Sequence, residues 1–444
     1  MIEKTKKLDA SSNLILHLTA TSDIEQGISV ITRGEGVYVW DQDGKKYLDL
    51  DSGVTRPVHV GYGRKELAQA AYDQMVAMVY YTPKGYANLP AMQLAERLEE
   101  IVPGDIRNFT FDCGGSDAVE TAMKLARQYH VDRGDKMRYK VISRRGAYHG
   151  VNGLGIRALG TVINMRHAVE PMAPGSVFAE SPYCYRCPYT LNYPDCDIHC
   201  ARDVGRIIEF EGPDMISAMI AEPFQQNFGA YGPPPEYFPM LHKILDQYGI
   251  LLIIDEVICG FGRTGKMFGM EHFDVKPDLL TMAKGLSSGY SPLGAVGCTD
   301  SVIEKMEMFA HLRTYANHPT SCAVAIKNLE IIQDEKLVAN AAAMGEYFLE
   351  GLRGLTHHPS VGEVRGTGLW TAIDFTTNKH TRAIMPIANL VSMVNRAKEK
   401  GVITKLMGPT LEFAPPLIIN REDIDFALRV IDECITEEEG AMGL

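Results

Sequence analysis

Residues 251–266 read LLIIDEVICGFGRTGK. The apolar run at its start suits a strand buried on both faces, because a half-exposed strand alternates apolar and polar letters. Asp255 and Glu256 end that run with two carboxylates, and a glycine-rich turn follows. The flanking sequence repeats the pattern. From about residue 109, short apolar runs (NFTFDCGG, YKVISRRG, ISAMIAEPF, ILLIIDEV, DLLTMAKG) alternate with helical stretches. Runs bounded by glycine and separated by helices predict an α/β fold whose mostly parallel sheet is covered on both faces. Such sheets bind ligands at the carboxyl ends of their strands.

On the N-terminal side, GVYVWDQDGKKYLDLDSG (36–53) alternates around Asp43-Gly44, which predicts a hairpin. Helical patterns follow in RKELAQAAYDQMVAMVYY and in AMQLAERLEEIV, the second ending at Pro103-Gly104. On the C-terminal side, one long helical pattern (322–355) leads to VRGTGLWTAIDF, which reads as a strand. A helix (NLVSMVNRAKEKG), a further strand and a closing helix (REDIDFALRVIDECITEEE) complete a smaller α+β unit. The expected organisation is an N-terminal segment, 1–60, joining the small domain, a large domain over 61–334, and a C-terminal small domain over 335–444. A chain of 444 residues is long enough for both cores.

Formal net charge is 44 − 56 = −12. That argues against nucleic acid or an anionic membrane as partner, since both need basic surface. No run approaches the eighteen or so apolar residues that span a bilayer, and MIEKTKKLDASSN (1–13) lacks the apolar core of a signal peptide. Nine cysteines then suit free thiols in a reducing compartment, and the expected location is cytoplasmic.

The glycine-rich turn fits two nucleotide motifs by letter. Gly260, Gly262 and Gly265 match GxGxxG, and Gly260 to Lys266 matches GxxxxGK. Both fail on context. A phosphate-binding loop needs Ser or Thr after its lysine, and Met267 stands there. A dinucleotide fingerprint must lead straight into a helix, whereas KMFGMEHFDVKPD carries Gly269 and Pro277.

Asp255 and Lys284 lie at the same end of successive apolar runs. In parallel strands, an acid and an amine would converge on one cleft. An ion pair at the strand ends, or two solvated charges, fits the spacing equally. A third stretch, FDCGGSDAVETAMKLARQYH, ends a run in Gly114-Gly115-Ser116 and opens a helix. Ser116 suits its N-cap, Asp117 and Glu120 its first turn, and Val119, Ala122, Met123 and Ala126 its buried stripe. Backbone N–H groups at such a helix start form an anion site, although a plain capped helix reads the same way. An amine, an acid and a phosphate seat together are what pyridoxal 5'-phosphate requires.

With these residues in view, the chain resembles the class III aminotransferases, of fold type I. GGSDAVETAMKLAR, AYHG, AEPFQQ, LLIIDEVICGFGRTGKMFG, TMAKGL, PLGAV, TYANHP, VRGTGL and APPLII stand in that family's order along almost the whole chain. The resemblance implies that Lys284 forms the Schiff base with pyridoxal phosphate and that Asp255 holds the pyridine nitrogen. It implies that Val257 and Tyr148 cover the two ring faces, Gly115 and Ser116 bind the phosphate, and Glu222 lies near cofactor and substrate. Thr314 is expected to reach the phosphate of a neighbouring subunit, so the active unit would be a homodimer, or a tetramer built from it. The implied reaction has two halves: an amine donor leaves its amino group on the cofactor, and a keto acid carries it away. A racemase or aminomutase on the same scaffold is the alternative, and would need no keto acid. A catalytically dead scaffold protein is a poor fit, because the amine, the acid and the phosphate seat are all present.

Ile258 and SGVTRPVHVGYGR resemble the ω-amino acid:pyruvate branch, including taurine:pyruvate enzymes, so pyruvate is the expected acceptor. Arg56 stands where that branch often has an aromatic residue, and Lys405 where it often has a mobile arginine. Both suit a carboxylate or sulfonate on the donor, such as β-alanine or taurine. Pairing of Arg56 with a local acid, and solvation of Lys405, is the plainer account. Cys184, Cys187, Cys196 and Cys200 form C-x2-C-x8-C-x3-C, which by spacing suits either a zinc seat or reduced structural thiols. Similar cysteine loops occur in the branch without a metal role to carry over, so no metal is assigned.

Overall fold

The structure, a computed structural model, describes residues 14–19, 24, 27–153, 166 and 170–444. The polar stretch 1–13 lies outside them. In chain order the strands are β1 (Ile31–Glu35), β2 (Tyr38–Asp41), β3 (Lys46–Asp49), β4 (Ile106–Asp112), β5 (Lys140–Arg144), β6 (Ser176–Ala179), β7 (Ile216–Ala221) and β8 (Leu251–Asp255). They continue as β9 (Leu279–Met282), β10 (Gly294–Thr299), β11 (Val361–Thr367), β12 (Trp370–Asn378), β13 (Ala383–Ile384), β14 (Val402–Ile403), β15 (Lys405–Met407) and β16 (Thr410–Phe413).

The central sheet has seven strands in the order β4-β10-β9-β8-β7-β5-β6. All neighbours pair in parallel except those of β10, which runs antiparallel between β4 and β9. The five apolar runs named from the sequence are β4, β5, β7, β8 and β9. β10 is not among the apolar runs because Gly294, Gly297 and the polar Thr299 dilute its apolar signal. Its glycine is required by contact: a Cβ on Gly294 would lie 2.2 Å from the Gly114 carbonyl oxygen.

All five residues of β8 are buried, and they divide between the two faces. Leu251 and Ile253 pack under the helix Gly115–Asp132 with Val119, Ala122 and Met123. Leu252 and Ile254 pack on the opposite face, in the larger core that also holds Leu241 and Leu245. Alternate residues point to opposite faces and both faces are covered, so the four positions Leu251 to Ile254 must be apolar, and the carboxylate comes only at the strand's end.

Two further sheets flank this layer, β1-β2-β3-β14 and β11-β12-β16-β15. The predicted hairpin is β2–β3, with Gly44 in its turn at φ +84°. β3 then pairs in parallel with β14, more than 350 residues away by the register Leu48↔Val402. Two readings need correction. The long helical pattern at 322–355 is two helices, Pro319–Asp334 and Leu337–Gly354, broken where Lys336 turns left-handed at φ +54°. VRGTGLWTAIDF is not one strand but the β11–β12 hairpin, turning at Gly368. No helix among the described residues is long and apolar enough to cross a membrane.

Candidate functional site

The parallel topology brings the ends of β8 and β9 side by side, with Asp255 in register with Thr281. Lys284 follows two residues beyond the end of β9, so the acid and the amine reach the same edge. The helix Gly115–Asp132 starts at that edge too, directly after β4. Gly114, in extended backbone, takes the N-cap position; Ser116 lies inside the first turn and Glu120 one turn further on, not at the cap and first turn as expected. A cavity of about 200 Å³ opens there. Its walls include Gly115, Ser116, Tyr148, Glu222, Asp255, Val257 and Lys284.

Asp255 is 4 % exposed and fully engaged. Its Oδ1 accepts from the Val257 backbone N–H and the Thr281 hydroxyl, each at 3.0 Å. Its Oδ2 lies 2.7 Å from His149 Nδ1. His149 is buried, and its Nε2 has no hydrogen-bond partner among the described residues. In AYHG the resemblance points to Tyr148 alone; the adjacent histidine is the letter that signals a partner to the buried acid. The second carboxylate of the opening stretch has a different task. Glu256 is wholly buried and accepts the Gly269 and Met270 N–H groups at 2.9 and 2.7 Å. It thereby caps the short turn Gly269–His272 after the glycine-rich loop. Burial pushes its carboxyl up to about 8, against the pull of those two N–H groups.

Lys284 is half-buried at φ +42°, and its amine makes no hydrogen bond or ion pair among the described residues. Burial, then the positive charge of Arg56, pushes the amine down to about 8, while Asp255 opposes the shift. Glu222, on the cavity wall, has one oxygen 3.6 Å from Arg144. Burial raises its carboxyl, offset by His149 and Arg144. Two close approaches shape the helix-start cradle. A Cβ on Gly115 would lie 2.9 Å from Val257, and one on Gly150, at φ +89°, would lie 2.8 Å from the Ser116 Cα.

The glycine-rich turn serves packing. Buried Arg263 donates to the Leu369 and Pro415 carbonyls at 2.7 and 2.6 Å, tying the turn to the C-terminal sheet. A Cβ on Gly368 would lie 2.3 Å from the Gly265 nitrogen, so the turn and the β11–β12 hairpin touch backbone to backbone.

Three predicted residues lie off the cavity wall. Arg56 is 1 % exposed and pairs with Glu412 and, at 3.3 Å, with Asp51. Its Nη2 has no hydrogen-bond partner among the described residues. Lys405 Nζ donates to the Val54 carbonyl at 2.7 Å. Thr314 is exposed, and its carbonyl accepts from the Tyr80 hydroxyl. The four cysteines Cys184, Cys187, Cys196 and Cys200 surround a separate cavity of about 20 Å³ as free thiols. They are not among the donor sets whose three ligand atoms come within 4.8 Å of one another.

An acid with fixed donors, an unpaired amine of lowered pKa and a helix-start anion seat can hold an aldehyde cofactor bearing a phosphate and move protons beside it. Comparison with known proteins points the same way. The family model described as aminotransferase class-III matches residues 20–435. A taurine–pyruvate aminotransferase from Bilophila wadsworthia is 37 % identical, covering 96 % of each chain. A putrescine–pyruvate aminotransferase from Pseudomonas aeruginosa is 35 % identical, covering 94 % of this chain and 92 % of the other. The crystal structure of a thermostable (S)-enantioselective omega-transaminase from Thermomicrobium roseum superposes with a TM-score of 0.92 at 38 % identity, covering 96 % of each chain.

Proposed function

We propose that this chain, which belongs to the class III aminotransferases, moves the amino group of an ω-amino acid or ω-amine to a keto acid, with pyruvate as the acceptor. The observation that carries the reading is one cavity walled by the free amine of Lys284, the carboxylate of Asp255 and the helix start at Gly115-Ser116. Class III aminotransferases depend on pyridoxal phosphate in general, and the residues present fit it. Lys284 would attach its aldehyde and Asp255 would face its pyridine nitrogen. Val257 and Tyr148 would cover the ring, with Glu222 close by, and Gly115 and Ser116 would hold the phosphate. When bound, the group supplies an electron sink for the bond broken at the substrate carbon.

The rest is the work of the chain's own side chains. Lys284 Nζ, lowered to about 8, is partly neutral near neutral pH and serves as the base and acid that moves the substrate proton. His149, Thr281 and the Val257 N–H keep Asp255 aimed at the cavity. Arg56 and Lys405 both add positive potential at Lys284, which supports an anionic donor such as taurine or β-alanine. Lys405, held by one backbone carbonyl, is the side chain free to turn toward the donor's anion.

The active unit in this reading is a homodimer in the cytoplasm, with Thr314 of a second copy completing the phosphate seat. The large apolar side chains Tyr72, Val76, Met92, Leu312 and Tyr315 are left exposed, which supports a surface that a second copy covers. Tyr80 links two of these segments, its ring 5.9 Å from that of Tyr315. The division into 61–334 and a small unit made of 1–60 with 335–444 is supported by the β3–β14 pairing and by the Ser52 hydroxyl bonded to the Ala414 carbonyl.

The test is a visible spectrum of the holoenzyme with single donors. A Schiff-base band that bleaches with taurine or β-alanine and returns with pyruvate supports the reading, and Lys284→Ala must lose both events. Turnover of a donor without any keto acid would point to isomerisation instead.

A further inference from the structure

We propose that His357, His358 and Asp432 form a binding site for a divalent transition ion, with Zn2+ the best match to the donors. The three residues come from two elements. His357 ends the short turn Leu355–His357 that follows the helix Leu337–Gly354, and His358 comes next. Asp432 projects from the helix Arg421–Met442. One ring nitrogen of each histidine and one carboxylate oxygen of Asp432 lie within 4.8 Å of one another.

The surroundings orient both rings. His357 Nδ1 is 2.9 Å from the Gly354 carbonyl, which fixes a proton there and leaves Nε2 with a free lone pair. His358 Nδ1 is 2.8 Å from Glu439 Oε2, and its Nε2 is 2.8 Å from Asp432 Oδ1. Glu439 is itself held by the Ser360 N–H at 2.9 Å. A histidine whose second nitrogen donates to a carboxylate or a backbone carbonyl is the usual outer arrangement around a histidine ligand. Here both histidines have it. The two rings lie 4.2 Å apart, centre to centre. His358 is buried, Asp432 half-buried and His357 exposed, so the site opens to water that can fill the remaining coordination position. Two imidazoles and a carboxylate suit zinc or its neighbours better than calcium or magnesium, which prefer oxygen.

Without metal, His358 already bridges Asp432 and Glu439 through its two ring nitrogens. Binding replaces the Nε2 proton by the ion, and that proton goes to solvent. None of these residues walls the cavity at Lys284. The ion would pin the C-terminal helix to the turn before β11.

The experiment titrates Zn2+ calorimetrically into untagged holoenzyme, into His357→Ala and into a Cys184→Ser/Cys187→Ser variant. His357 is exposed, so its truncation leaves the fold intact, checked by an unchanged Tm without zinc. The expected result is one site per chain in the starting protein and in the cysteine variant, and affinity at least about 10-fold weaker in His357→Ala. Zinc should raise Tm in the starting protein and in the cysteine variant, and much less in His357→Ala. Equal affinity in His357→Ala, loss of binding in the cysteine variant, or no binding at all would overturn the proposal.

Discussion

Replacing Arg56 by alanine would leave two carboxylates stranded inside the protein. Arg56, Asp51 and Glu412 are at most 1 % exposed, and Arg56 Nε faces both acids. Trp370 Nε1 also donates to Glu412. Burial already pushes the Asp51 carboxyl up, and the Arg56 charge is the largest influence pulling it back. Removing one partner of a buried pair costs about 3–5 kcal/mol, because the other charge is left without compensation. Unfolding entropy is about 2.1 cal/mol/K per residue. Over 444 residues that is about 0.9 kcal/mol/K, so the loss lowers Tm by about 3–5 °C. Differential scanning calorimetry of the holoenzyme measures this directly. The double variant Arg56→Met/Glu412→Gln removes a cation and an anion together, and should recover at least half of the drop. If Arg56→Ala kept its Tm within about 1 °C and only raised KM for taurine, Arg56 would be a pure substrate contact and the buried-cluster reasoning would fail.

Further expectations follow from the site. His149→Phe removes a donor to Asp255 and should lower kcat/KM by about 10–100-fold; it should also shift the pH dependence of the cofactor's visible band, and an unchanged band would deny His149 a role through Asp255. Gly150→Ala forces a Cβ against Ser116 at a left-handed backbone position, so cofactor affinity, followed by fluorescence titration of the cofactor-free protein, should fall by more than about 10-fold; equal affinity would mean that Ser116 can shift freely. Lys284 carries a pKa lowered from 10.5 to about 8, so it destabilises the fold fully below about 8, and that cost fades as pH rises toward 10.5. Cofactor uptake by the cofactor-free protein should therefore rise with a midpoint near 8, and a midpoint above 10 would show that burial does not govern the amine. Lys405→Met should raise KM for taurine and β-alanine more than for an uncharged ω-amine, with Tm nearly unchanged; equal effects on all donors would remove Lys405 from donor selection.

Much of the fold is legible in the letters because its signals are local. A strand covered on both faces must be apolar through the layer, as LLII is before Asp255, and parallel strands separated by helices must end at the same edge. That alone brings Asp255, Lys284 and the helix start at Gly115-Ser116 together. The tertiary structure settles what depends on partners far along the chain. The letters leave Arg56 open between a donor's anion and a local acid, and cannot name Glu412, 356 residues away, which is folded against it. His149 is one letter in AYHG until it meets Asp255 across 106 residues. Asp255 and Glu256 are neighbouring acidic side chains, yet one faces the cavity and the other caps a turn, because consecutive residues leave a strand on opposite sides. β10 and the break at Lys336 were hidden for a related reason: glycines that allow backbone contact, and a single left-handed residue between two helices, leave no periodic trace.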